Sequence, residues 1–262
     1  MRIVTLISDW NSADYYIGAI KGRILSNCPE ALIVDINHQI ATFNINQAAF
    51  VLKNAYKSFP SDSIHIIAVQ SEESKDKPFV LVKYDSHYFI GVDNGLFYLL
   101  IDSDPEIIVS FEGVGKTGSF PELEIFSQIA VELIKGKNPE DIGKKRDKVF
   151  KQLPVLPAVE ENIITGKVIY IDSFQNIITN IDKNIFEKVG QKRPFTIYVQ
   201  SKGNKISRIN NSYNETSEGE LLAIFNSGGY LEIAIRNGKA AELFNLNTSS
   251  AIRVVFEEKK SS

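Results

Sequence analysis

With 262 residues, 44% of them hydrophobic, the chain is long enough to bury one large core or two ordinary ones. Lys and Arg total 29 against 32 Asp and Glu, a formal charge of -3, which argues against the broad positive field that gathers nucleic acid or anionic lipid. One cysteine, Cys28, and three histidines, His38, His65 and His87, exclude an intrachain disulfide scaffold and leave too few soft ligands for a tetrahedral zinc site.

The N-terminal apolar run is too short for a signal segment, and nothing approaches the roughly 18 apolar residues of a membrane span, so a cytoplasmic protein without membrane or nucleic-acid partners is expected. Strand and helix signals alternate through the first half. Arg2 to Ile7 reads as a strand and Asp14 to Leu25 as a helix closed by Pro29. Ala31 to Ile36 is a second strand, and Asn46 to Phe59 an amphipathic helix stopped by Pro60. Ile64 to Val69 is apolar enough to be buried on both faces. Phe79 to Tyr84 and Tyr88 to Val92 read as a hairpin around Asp85, Ser86 and His87, followed by a strand at Ile107 to Phe111 and a helix from Glu124 to Lys135.

Charge and proline then interrupt the periodicity, so residues 1–150 are expected to form an α/β domain around a mainly parallel sheet, and 151–162 a linker. In 163–262 short β runs at Ile163 to Ile171, Phe195 to Val199, Leu221 to Phe225, Tyr230 to Ile235 and Ala251 to Phe256 predict a smaller antiparallel barrel or sandwich almost without helix. Ser201 to Glu218, rich in Asn, Ser, Gly and Lys, reads as a mobile surface loop.

Gly113-Val114-Gly115-Lys116-Thr117 has the ending of a phosphate-binding loop, but Ser110 stands where that motif needs glycine and Pro121 follows closely, so it reads as a glycine turn. More informative is Ser8-Asp9-Trp10-Asn11-Ser12-Ala13-Asp14, at the C-terminal end of the first strand, where open α/β sheets collect ligands. The Asp14 carboxylate offers two acceptors to a diol such as a ribose, while spacing alone favours Asp9 or Asp14 as a helix cap. Asp172-Ser173-Phe174-Gln175-Asn176 reads as a hairpin loop, and Asn226-Ser227-Gly228-Gly229 as a turn into a strand.

In this order the segments resemble the S-adenosylmethionine hydroxide adenosyltransferases, relatives of bacterial fluorinase and chlorinase. The resemblance rests on Thr5 to Asp9 with Asp14, Ile33 to Ile40, Phe59-Pro60, Asp93-Asn94-Gly95-Leu96, Ile171 to Asn176, and Asn226-Ser227 with Leu231 to Ala234. It implies a two-domain trimer that binds S-adenosylmethionine between one subunit's first domain and its neighbour's second. It assigns Asp14 to the ribose hydroxyls, Phe120 to the pocket wall, and Phe43 to an aromatic beside the ligand, although a core phenylalanine is an equally good reading. Asp172 and Asn176 match groups for the amino-acid end, Phe174 a ring that stacks on adenine, and Ser227 an adenine-edge contact. Asp9, Asn94 and Glu232 lie in the same matching blocks and are included among the substrate-binding candidates.

The resemblance breaks at the three groups that family hydrolases use on the water nucleophile. Gln70 stands at their aspartate, Lys77 at their arginine and Pro121, beside Glu122, at their histidine. Gln70, Lys77 and Glu122 are therefore the candidate catalytic positions, with Glu72 or Glu73 as other substitute bases and Lys75 or Lys77 as an orienting cation. The implied reaction is displacement of methionine from C5′ by water or hydroxide, giving adenosine, with no cofactor. The alternatives are a catalytically impaired protein that binds S-adenosylmethionine or adenosine, and a halide-using relative.

Overall fold

A computed structural model describes residues 2–111, 120–200 and 203–258; the glycine turn at 113–117 lies outside the described residues. The chain divides into two compact units, Met1–Leu153 and Pro154–Ser262.

The first unit runs β1 (Ile3–Ser8), α1 (Tyr15–Asn27), β2 (Leu32–Asn37), α2 (Ile45–Ala55), a 3-10 turn (Tyr56–Ser58), β3 (Ile64–Ala68), β4 (Phe79–Tyr84), β5 (His87–Val92), α3 (Leu96–Leu100), β6 (Ile107–Phe111), α4 (Glu122–Ile134), α5 (Pro139–Ile142) and β7 (Lys144–Lys145). Its sheet has the order β2-β1-β3-β5-β4-β6-β7. The four strands from β2 to β5 pair in parallel, and β4, β6 and β7 extend the sheet antiparallel. Period-two alternation sorts side chains between two cores. Val4, Leu6, Ile64, Ile66 and Leu81 face α1 and α4 through Ile20, Ile24, Phe126 and Ile129, while Ile7, Ile67, Val80 and Phe89 face α2 and α3 through Leu52, Leu96 and Phe97. The β4–β5 turn is tighter than the sequence suggests: Asp85 and Ser86, both left-handed, form it alone, and His87 opens the strand. Two successive left-handed residues match the twist of a two-residue hairpin.

Polar residues enter the second core as a hydrogen-bonded file. Thr5 Oγ1 lies 2.7 Å from His65 Nδ1, and His65 Nε2 lies 3.1 Å from His87 Nδ1. All three residues are buried. Burial, reinforced by His87, holds the His65 imidazole down to about 3, and burial lowers that of His87 as well. Both rings are therefore neutral in the folded protein at pH 7.

The second unit contains β8 (Ala158–Val159), β9 (Ile163–Ile171), β10 (Ile177–Asp182), α6 (Lys183–Gly190), β11 (Phe195–Val199), β12 (Lys205–Ile206), a 3-10 turn (Tyr213–Glu215), β13 (Leu221–Phe225), β14 (Tyr230–Ile235), α7 (Ala240–Leu243) and β15 (Ala251–Phe256). Its sheet follows β12-β11-β15-β9-β10-β14-β13, with β8 on β9; the Asn210–Ile224 bridge brings the chain after β12 against β13, so the sheet nearly closes. The expectation of almost no helix fails at α6. Asp182 caps it by accepting from Ile185 N, and its Phe186 packs edge-on against Phe195, Phe225 and Phe256 in the barrel core. Its apolar face is only Ile185, Phe186 and Val189, too short a stripe for periodicity to register.

The unfolded chain binds protons at His65 and His87 below about pH 6.5, whereas in the folded chain His65 does so only near pH 3 and His87 at a pH below its ordinary value. Stability is therefore expected to fall as pH drops through this window, by up to about 1.4 kcal/mol per pH unit for each imidazole that stays neutral. Urea unfolding at pH 7 and pH 5 checks this, and His65→Gln is expected to make the slope shallower.

Candidate active site

The C-terminal ends of β1, β2 and β3 form a polar rim organised by Asp9. Its Oδ2 accepts from Phe43 N at 2.8 Å and from Gln70 N at 3.2 Å. Both donors sit in the left-handed region, at φ 63° and 47°. That conformation costs a residue with a Cβ of order 1 kcal/mol, and a hydrogen bond to an ionised carboxylate returns about 1.5–3 kcal/mol, so Asp9 offsets the strain of both loops. Asn94 secures the same loop from the other side: its Nδ2 donates to Val69 O and Gln70 O, each at 3.1 Å, and its Oδ1 accepts from Leu96 N. Asp9 Oδ2 and the buried Asn94 amide are thus engaged in shaping the rim.

Asp14 occupies the N-cap position of α1, but its carboxylate makes no capping hydrogen bond. It is exposed, so its two acceptors face outward. Beside it the chain's single tryptophan builds an aromatic cluster absent from the sequence reading: Trp10 lies 5.1 Å from Phe120 between ring centroids, and Tyr16 lies 4.7 Å from Phe120 and 4.4 Å from Tyr15. The available signal was the adjacency of Trp10 to Asp9. Phe43 is 68% exposed, which excludes its reading as a core phenylalanine.

The three catalytic candidates part company. Gln70 is at the rim, where its backbone bonds Asp9 and Asn94. Lys77 closes a tight turn with Ser74 and places its ammonium 5.9 Å from the centroid of the Phe150 ring. Glu122 opens α4 and is 4% exposed, and among the described residues its Oε2 has no hydrogen-bond partner. Burial pushes the Glu122 carboxyl up, and the nearby charges of Glu72 and Glu73 push it further.

His38, the one imidazole at the ends of these strands, is already engaged. Its Nδ1 lies 2.7 Å from Ser8 Oγ, and its Nε2 lies 3.0 Å from Asp35 Oδ1, while Asp35 Oδ2 accepts from Lys21.

The second unit has its own polar cluster. Asp172 Oδ1 accepts from Phe174 N and Asn176 N, and its Oδ2 from Asn176 Nδ2 at 3.0 Å. This turn leaves the Phe174 ring 72% exposed. Buried Glu232 accepts from the Tyr213 hydroxyl and, at 3.3 Å, from Asn226 Nδ2; burial raises its carboxyl, and Asp172 adds to the effect. Tyr213 lies in the segment read as a mobile loop, so this bond, with Arg236 donating to Thr216 O, ties its end down. Ser227 is exposed in the turn that Asn226 Oδ1 closes on Gly228 N and Tyr230 N.

Residues 4–143 match the N-terminal domain of SAM hydroxide adenosyltransferases, and residues 166–253 match the C-terminal domain. The chain belongs to the SAM hydroxide adenosyltransferase family. It is 29% identical to an (R)-S-adenosyl-L-methionine hydrolase of Methanocaldococcus jannaschii, over 98% of this chain and 97% of that protein. It is also 24% identical to one from Thermus thermophilus, over 97% and 100%, and 22% identical to a fluorinase of Nocardia brasiliensis, over 96% of each. The crystal structure of an uncharacterized conserved protein from Thermotoga maritima superposes with a TM-score of 0.85 at 25% identity, covering 97% of this chain and 99% of that one. Among the described residues of this family member, no helix is long and apolar enough to cross a membrane.

Asp9→Ala is expected to destabilise the protein by about 2–4 kcal/mol in urea unfolding, because two strained backbone donors lose a charged acceptor, whereas Asp9→Asn keeps an acceptor and costs about 1 kcal/mol. Gln70→Gly in the Asp9→Ala background is expected to recover part of the loss, since glycine tolerates the left-handed backbone.

Proposed function

We propose that the protein hydrolyses S-adenosylmethionine at C5′, giving adenosine and methionine. The observation that carries this reading is full-length similarity to proteins named (R)-S-adenosyl-L-methionine hydrolase, together with an exposed carboxylate, Asp14, and an aromatic cluster at the strand ends. In this reading Asp14 accepts from the ribose hydroxyls and Phe43 and Phe120 wall the ligand. Phe174 stacks on adenine, with Ser227 at its edge, and Asp172, Asn176 and Glu232 shape the second-unit side. Asp9, Asn94 and Gln70 hold the rim, and Lys77 acts through the loop it closes.

The sulfonium already activates methionine as leaving group, so the protein's work is to place water in line behind C5′ and exclude competing solvent. The reaction as proposed draws on no cofactor. The active assembly is proposed as a cytoplasmic homotrimer with sites between subunits, a reading supported by the family's two-domain match and by a composition with one cysteine and near-neutral charge. The acidic balance suits a cationic small molecule rather than nucleic acid.

Chromatography of S-adenosylmethionine incubated with the protein is expected to show adenosine and methionine in equal amounts. Asp14→Ala is expected to raise KM at least tenfold. The replacement of the family's catalytic groups by Gln70, Lys77 and Pro121 favours one second reading, binding without turnover; tight binding in calorimetry with no adenosine selects it, and neither binding nor adenosine excludes both.

A further inference from the structure

We propose that Glu122 takes the proton from the attacking water, in place of the imidazole this chain lacks at that position. The inference rests on the hydrolase reading and names the base within it.

Four carboxylates, Glu72, Glu73, Asp76 and Glu122, lie in the segments where the chain departs from its family; Asp76 is exposed, and burial separates the others. Glu72 is exposed and Glu73 half-buried, whereas Glu122 is 4% exposed. Among the described residues, the Oε2 of Glu122 is enclosed and has no hydrogen-bond partner. Folded proteins seldom bury an acceptor unmatched, and such an atom points to a ligand that completes it. Glu122 directly follows Phe120 and Pro121, so it is tethered to the aromatic cluster through Phe120. The competing groups are committed elsewhere: Asp9 Oδ2 to two backbone donors, His38 to Ser8 and Asp35, and Lys77 to the Phe150 ring.

The titratable groups that couple to Glu122 are Glu72 and Glu73, from the segment after β3; both favour its protonated form, opposed by the backbone N–H of Glu122 itself. An arriving sulfonium has the opposite effect. Its positive charge favours the ionised carboxylate, so the base is generated as the substrate binds. In the step, the water oxygen bonds to C5′ as the C5′–S bond breaks and its electron pair returns to sulfur. The water proton passes to Glu122 Oε2. Methionine leaves as a neutral thioether, adenosine keeps the new hydroxyl, and the proton returns to solvent by way of exposed Glu72, so the turnover releases one proton.

Steady-state adenosine formation by the full-length protein, Glu122→Gln and Glu72→Gln from pH 5 to 9 tests this. Glu122→Gln is expected to lower kcat by about 10²–10⁴-fold and, because the ionised carboxylate and the sulfonium favour each other, to weaken S-adenosylmethionine binding by a smaller factor. The unaltered protein is expected to lose activity on the acid side, and Glu122→Gln to abolish that limb. Glu72→Gln removes a charge that raises the Glu122 carboxyl and is expected to move the limb to lower pH. Wild-type kcat and an unchanged acid limb in a folded Glu122→Gln overturn the proposal. If Glu122→Gln does not fold, an acid limb that Glu72→Gln leaves in place overturns it and a shifted limb supports it. Absence of adenosine from the unaltered protein overturns the hydrolase reading and this inference together, whereas activity indifferent to both substitutions overturns this inference alone.

Discussion

The candidate site depends on one carboxylate oxygen. Asp9 Oδ2 gathers the backbone N–H groups of Phe43 and Gln70, from loops after β2 and β3, and both residues hold a left-handed backbone. Without that acceptor each loop would carry its strain unopposed. With it, Phe43 projects into solvent, Gln70 turns its carbonyl to Asn94, and the Asn94 amide passes the constraint on to the start of α3. The rim is a lattice of backbone bonds whose few side chains are used chiefly as struts. This arrangement pre-forms a surface before any ligand arrives, which lowers the entropy cost of binding.

The second unit solves a similar problem differently. Asp172 folds its own loop by accepting from Phe174 N, Asn176 N and the Asn176 side chain, so the aromatic ring is held outward by a turn that closes on itself. Below it, Glu232 is buried but matched by Tyr213 and Asn226. The contrast with Glu122 is physical: both carboxyls are raised by burial, but Glu232 has its partners and Glu122 Oε2 has none among the described residues. A matched buried carboxyl stabilises a fold, and an unmatched one is available for chemistry.

Much of the architecture was legible in the residue pattern. The continuous apolar runs of β1 and β3 placed the strands because both faces of that sheet are covered, and Pro60 closes the segment of α2 and its 3-10 turn. Helix α6 was not legible, since its three apolar residues acquire meaning only where Phe186 meets Phe195, Phe225 and Phe256 from distant strands. The Tyr213 segment read as a mobile loop because its composition is polar; its anchor, Glu232, lies 19 residues further on.

The sequence by itself determined two units of different class and the family, and it offered Asp14 as a carboxylate suited to a diol. These follow from residue identity, order and local period, all readable along a line. Only the tertiary structure decided that Asp9 Oδ2 and the Asn94 amide are spent on backbone, that Lys77 lies against Phe150, and that Glu122 rather than Glu72 or Glu73 is enclosed. Each of these is a matter of burial and of partners distant in the chain, and a carboxylate's chemistry is set by such surroundings more than by its neighbours in sequence.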